Sequence, residues 1–159
     1  MSNYEIKMDE YGAKHYYLND KLHREDGPAI EYANGTKKWF KNNQLHREDG
    51  PAVEYASGEK HWYKNGLRHR EDGPAVEYSD GEKQWWVHGN RHRESGPAVE
   101  YANGDKIWYL HNKCHRQDGP AIERVNKQKD WYLDGKLYGY DNKFTNESWI
   151  KFVKTLIFS

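Results

Sequence analysis

The 159 residues contain one cysteine, two methionines and five prolines. A single thiol, Cys114, excludes an intramolecular disulfide framework and a thiolate metal cluster. An excess of charge is also missing: 25 basic residues balance 25 acidic ones, and no strongly basic run occurs. Electrostatically driven binding to nucleic acid or to an acidic membrane is therefore disfavoured. No apolar run approaches the ~18–20 residues of a membrane span. The opening MSNYEIKMDEYG lacks the apolar centre of a secretory signal. The expectation is a soluble, cytoplasmic protein forming a single domain over 1–159. Hydrophobic residues make up only 35% of the chain while aromatics reach 15%, so Trp and Tyr must cover much of the buried surface.

What is present is a period. HREDGPA starts at His23 and returns at His46 and His69, followed by HRESGPA from His92 and HRQDGPA from His115, always 23 residues apart. Trp39, Trp62, Trp85, Trp108 and Trp131 keep the same spacing, with Tyr16 one period earlier. Uninterrupted spacing is what an array of stacked units requires.

Each unit has two turn signals. One is ANGT (33–36), repeated as ASGE, SDGE, ANGD and VNKQ; the other is KNNQ (41–44), repeated as KNGL, VHGN, LHNK and LDGK. Asn-Gly between β-formers marks a two-residue hairpin turn. Both turns are expected to be two-residue loops joined by six-residue strands such as TKKWFK, with HREDGP as the corner into the next copy. A half-repeat or cap (4–22), five repeats (23–137) and a C-terminal segment (138–159) follow from this division.

A 23-residue unit such as WYKNGLRHREDGPAVEYSDGEKQ (62–84) resembles the MORN repeat over roughly residues 10–140. Its HREDGP corner departs from the short His-Gly-x-Gly of typical members and is similar to variant arrays of bacteriophages and large DNA viruses. The resemblance implies an all-β fold: an elongated single-layer antiparallel sheet of stacked hairpins. It also implies a role in binding and assembly, often with proteins and sometimes with lipid.

Two-residue turns would pair Glu31 with Lys38, Ile30 with Trp39 and Ala29 with Phe40. Ile30, Tyr32, Lys37, Trp39 and His46 then share a uniform, structural face. The other face carries columns that change between copies: Lys38, His61, Gln84, Ile107 and Asp130 opposite the recurring Glu. It also carries the aromatic column Phe40, Tyr63, Trp86, Tyr109 and Tyr132, each opposite an Ala. Aromatics among changing polar residues describe a recognition surface. The alternative is that sheet curvature or a C-terminal helix covers this row.

His, Glu and Asp in one short motif could ligate a metal or perform acid–base catalysis. Neighbouring copies lie roughly 9–10 Å apart at ladder spacing, too far for their histidines to share an ion. Ser95 and Gln117 break the acidic pattern, and five near-equal corners supply no unique pocket. The corner reads as structural: Asp caps backbone amides, Gly permits a bend, Pro fixes the exit and Arg reaches a carboxylate. No cofactor, metal or catalytic residue is expected.

In TNESWIKFVKTLIFS, Asn146 is the expected N-cap of a helix over about 146–158. Trp149, Ile150, Phe152, Val153 and Ile157 lie on its apolar stripe. The helix should cover the last sheet edge, and its wide stripe offers a second interface, including for a homodimer. The functional expectation is a non-enzymatic module that occludes a protein partner, a host defence protein if the chain is virus-encoded. A small-ligand or nucleotide sponge and a purely structural assembly protein are the alternatives.

Overall fold

A computed structural model of the chain describes residues 4–158. Among these residues the secondary structure is β-hairpins in antiparallel sheet, not closed into a barrel, with a single α-helix, α1 (Asn146–Ile157), near the C-terminus. The described residues fall into two compact units. One lies within Met1–Asp80 and Trp86–Gly89, the other within Gly81–Trp85 and Asn90–Ser159.

In the first unit, β1 (Glu5–Met8) pairs with β2 (Lys14–Leu18). The ladder continues through Ile30–Glu31, Lys37–Lys38, Val53–Glu54, Lys60–His61 and Val76–Glu77. In the second it runs through Lys83–Gln84, Val99–Glu100, Lys106–Ile107, Ile122–Glu123, Lys129–Leu133 and Lys136–Tyr140.

One of the two turns is as expected. Asn42 and Asn43 both have positive φ, 52° and 65°, and join Lys41 to Gln44 as a two-residue loop. The other differs. Tyr32 N–H donates to Thr36 O at 2.9 Å and Gly35 N–H to Tyr32 O at 3.0 Å, which encloses three residues, Ala33, Asn34 and Gly35. Gly35 has φ +90° while Asn34 is not in the left-handed region, and its side chain accepts from Thr36 N–H at 2.9 Å. This is a type I turn closed by a glycine bulge. In the fifth copy Lys127 takes the glycine's place at φ +73°.

The extra loop residue shifts the register by one, and a one-residue slip turns a whole strand over. Glu31 therefore pairs with Lys37, not Lys38, and Ile30 with Lys38, not Trp39. Glu123 pairs with Lys129 while Asp130 pairs with Ile122, so the expected Glu–Asp repulsion does not arise.

The six-residue strand is also interrupted. Lys37–Lys38 belongs to the main ladder and Phe40–Lys41 to a separate hairpin with Gln44–Leu45. Trp39 is the point of transfer: its N–H donates to Ala52 O (2.8 Å) and its carbonyl accepts from His46 N–H (3.1 Å). In the last copy Lys129–Leu133 stays continuous and takes up the bend as a bulge between Trp131 and Tyr132.

The second unit holds an aromatic core. Trp131, Leu133, Trp149 and Val153 are buried, with Tyr138, Phe144 and Phe152 packed against them. Ring centroids of Trp131 and Trp149 are 5.5 Å apart, and Trp149 Nε1–H donates to Arg116 O at 3.0 Å. The helix is capped one residue earlier than expected. Thr145 Oγ1 accepts from Ser148 N–H (3.2 Å), and Ser148 Oγ accepts from Thr145 N–H (2.9 Å). Trp149 and Val153 are thus taken up by the chain's own core and cannot serve a second interface. Phe152 and Ile150 are half-buried, and Ile157 is exposed. Among the described residues no helix is long and apolar enough to cross a membrane.

Candidate functional site

The corner motif resolves into a clamp. In every copy the Arg guanidinium lies 3.8–4.1 Å from the ring eight residues earlier: Arg24 over Tyr16, then Arg47, Arg70, Arg93 and Arg116 over Trp39, Trp62, Trp85 and Trp108. Nη1 reaches the Glu seven residues on, as in Arg24–Glu31 (2.7 Å), and the Pro28 carbonyl (3.2 Å). Nε bonds Asp26 at 2.9 Å, and its equivalents Asp49, Asp72 and Asp118. These bonds hold the carboxyls of Asp26, Asp49 and Asp72 below the usual carboxylate range.

The corner glycine serves space and not a positive φ. A Cβ on Gly27 or Gly119 would stand 3.0 or 2.8 Å from the Arg Cζ lying across it. Each His fastens two copies. His46 N–H bonds its own Trp39, while its Nδ1 faces the N–H of Asn65 in the next hairpin at 3.1 Å. The same contact recurs for His23, His69, His92 and His115 at 3.1–3.4 Å. Open crevices of about 840, 730 and 710 Å³ lie between successive corners, near-copies of one another. Among the described residues no three His, Cys, Asp or Glu side chains gather to hold a metal ion.

The opposite face carries the columns that change. The register shift brings Tyr32, Tyr55 and Tyr78 onto it, where sequence reasoning had placed them behind. In the first unit Lys38 Nζ lies 5.1 Å from the Tyr32 ring. His61 is buried, its ring 5.3 Å from Tyr55, 6.0 Å from Tyr78 and 6.3 Å from Tyr63. Its Nε2 meets Glu59 at 2.6 Å; burial lowers its pKa, with Glu59 opposing. Arg68 lies 6.0 Å from the Tyr63 ring and 5.1 Å from that of Trp86. Phe40, Tyr63 and Trp86 are all half-buried.

In the second unit Gln84, in the place of His61, is buried and donates to Glu82 at 2.6 Å. Ile107 pairs with Val99 and Ile122. Asp130 is buried and bonded by Arg124 at 2.8 Å. Tyr109 and Tyr132 are half-buried. Burial and the Cys114 thiol push the Tyr109 hydroxyl up to about 12, and burial raises Cys114 itself.

Two corrections follow for the expected recognition residues. His61 and Gln84 are internal, each bonded to the Glu two residues before it. The aromatics do not stand opposite an alanine: with Ile30 opposite Lys38 the register sets Ala29 against Trp39, while Phe40, Tyr63 and Tyr109 keep the partners the two-residue turn predicts, Leu45, Arg68 and Cys114. The tyrosine column and Arg68 were missed. The signal was available, because only the three-residue loop places every recurring Glu opposite a Lys. No family model and no curated protein matches the sequence.

Proposed function

We propose that the chain is a non-enzymatic protein-binding module that engages its partner through the aromatic face. The observation that carries this reading is an asymmetry between faces. The Trp–Arg–His face is uniform, and in every copy its Arg is bonded to the Glu seven residues on. The other face presents two half-exposed aromatic columns, Tyr32/Tyr55/Tyr78 and Phe40/Tyr63/Trp86 in the first unit, with Lys38 against the Tyr32 ring and Arg68 between those of Tyr63 and Trp86. Tyr101, Tyr109 and Tyr132 continue the pattern in the second. Rigid aromatics beside Arg supply contact area at low entropic cost. The resemblance to variant MORN-like arrays of phages and large DNA viruses supports a host protein as the partner and occlusion as the mechanism.

Replacing Tyr63, Trp86 and Tyr109 together with Ala should abolish partner capture from host extract while the far-ultraviolet circular dichroism spectrum is kept. Unchanged capture defeats the reading. A thermal shift with nucleotides, and none with any captured protein, would favour a small-ligand sponge instead.

A further inference from the structure

Among the described residues β1 pairs on one side only, with β2. All four of its residues are exposed, Ile6 to 59% and Met8 to 67%. The strand is nevertheless anchored. Tyr4 packs edge-on against Tyr16 (6.4 Å), and its hydroxyl accepts from Glu25 N–H at 3.0 Å.

Its hydrogen-bond phase follows from β2. Tyr16 N–H donates to Ala29 O (2.8 Å) and Tyr16 O accepts from His23 N–H (3.1 Å), so both groups point away from β1. Tyr16 stands opposite Ile6. That pair is therefore not hydrogen-bonded, and the Ile6 N–H and C=O turn outward. Asp9 N–H donates to Ala13 O at 3.0 Å, which makes Met8–Lys14 a second pair of the same kind. Ile6 and Met8 thus offer backbone donors and acceptors along an open edge.

We propose that β1 pairs antiparallel with β1 of a second copy of this chain, about a two-fold axis at Ile6. Phase and charge select that register together. Only outward residues can exchange bonds, which within the strand allows Ile6 on Ile6, Ile6 on Met8, or Tyr4 on Ile6; Met8 on Met8 would set Ile6 against Glu10, which lies in the turn after the strand. The second sets Lys7 opposite Lys7 and the third Glu5 opposite Glu5, both repulsive. The first sets Glu5 opposite Lys7 twice, Met8 opposite Tyr4 twice, and the two Ile6 side chains together. Within one chain Lys7 Nζ already lies 3.2 Å from Glu5 Oε1, with both side chains more than half exposed, so the contact closes a four-charge cluster. A lone edge lysine deters self-pairing; with Glu5 two residues before it, it becomes self-complementary. Such a contact is isologous and closes as a dimer. Two four-residue strands bury little area, so the association is weak and concentration-dependent.

Sedimentation equilibrium of the full chain from micromolar to millimolar concentration tests this. The wild type should show a monomer–dimer equilibrium. Lys7→Glu should raise the dissociation constant about tenfold, and the double variant Glu5→Lys/Lys7→Glu should restore it. Ile6→Pro removes an N–H that β2 does not use, so it should abolish the dimer while the thermal melt of the monomer is kept. A strictly monomeric wild type overturns the proposal. So does a dimer indifferent to these changes but lost on Ile157→Asp, which would place the contact on the helix. Protection of the Ile6 and Met8 amides only on addition of an extended peptide, with no dimer, also overturns it.

Discussion

Trp108 and Trp131 occupy equivalent places one period apart in the same unit, yet different chemistry covers their rings. Over Trp108 lies the Arg116 guanidinium at 4.0 Å, held by Asp118 and Glu123. Over Trp131 lie Phe144 and Trp149, at 5.6 and 5.5 Å between centroids. Trp108 stays half-buried, whereas Trp131 is fully buried. A repeat that another repeat follows can use a charged clamp, because its carboxylates sit at the surface and the next copy covers the rest. The last repeat has no successor. Its sixth corner is replaced by β-strand, a turn and a helix, and apolar aromatic packing stands where the cation would have been.

This contrast predicts an order of effects. Trp149→Ala should be the most damaging change, at about 3–5 kcal/mol for a buried aromatic, read as a lower urea midpoint by tryptophan fluorescence. Arg116→Ala should cost less, about 2 kcal/mol for hydrogen bonds to charged groups. Gly119→Ala should act in the same direction, because its Cβ would meet the same guanidinium. Equal losses at Trp149 and Arg116 would show that the two coverings are energetically alike.

Lys127 adopts a left-handed φ where the four preceding copies have glycine. Lys127→Gly should therefore stabilise the chain by up to about 1 kcal/mol, measured by the same urea titration. A smaller effect concerns pH. Burial lowers the His61 pKa in the folded state, so the unfolded chain takes up the proton first as pH falls. The corresponding stability is present above the unfolded value of about 6.5 and declines as pH falls toward the folded value. His61→Gln, which copies Gln84, should flatten that part of the stability–pH curve; an unchanged curve would place its source elsewhere. Smallest in consequence, Cys114 should react slowly with iodoacetamide at neutral pH, since burial raises its pKa.

Much of this was legible in the chain. The period, the corner as a structural part, the Asn42–Asn43 turn and the closing helix all follow from letters with one strong local meaning. The ANGT turn did not, because Asn-Gly fits both a two-residue loop and a three-residue loop with a bulge. The decision lies in Glu–Lys pairs six residues apart, such as Glu54 with Lys60. That single residue of register moved Tyr32, Tyr55 and Tyr78 to the aromatic face and put His61 and Gln84 inside. The close approach of Arg24 to Gly27 was illegible for another reason: glycine's absent side chain leaves no trace of what needs the space.

The division of the molecule into a structural and a binding face is tested most directly by site-specific photo-crosslinking. A benzophenone side chain at position 63, on the aromatic face, should crosslink to a host protein. The same group at position 60, exposed on the Trp–Arg–His face opposite Glu54, should not. Crosslinks from position 60 with none from position 63 would contradict the assignment of faces.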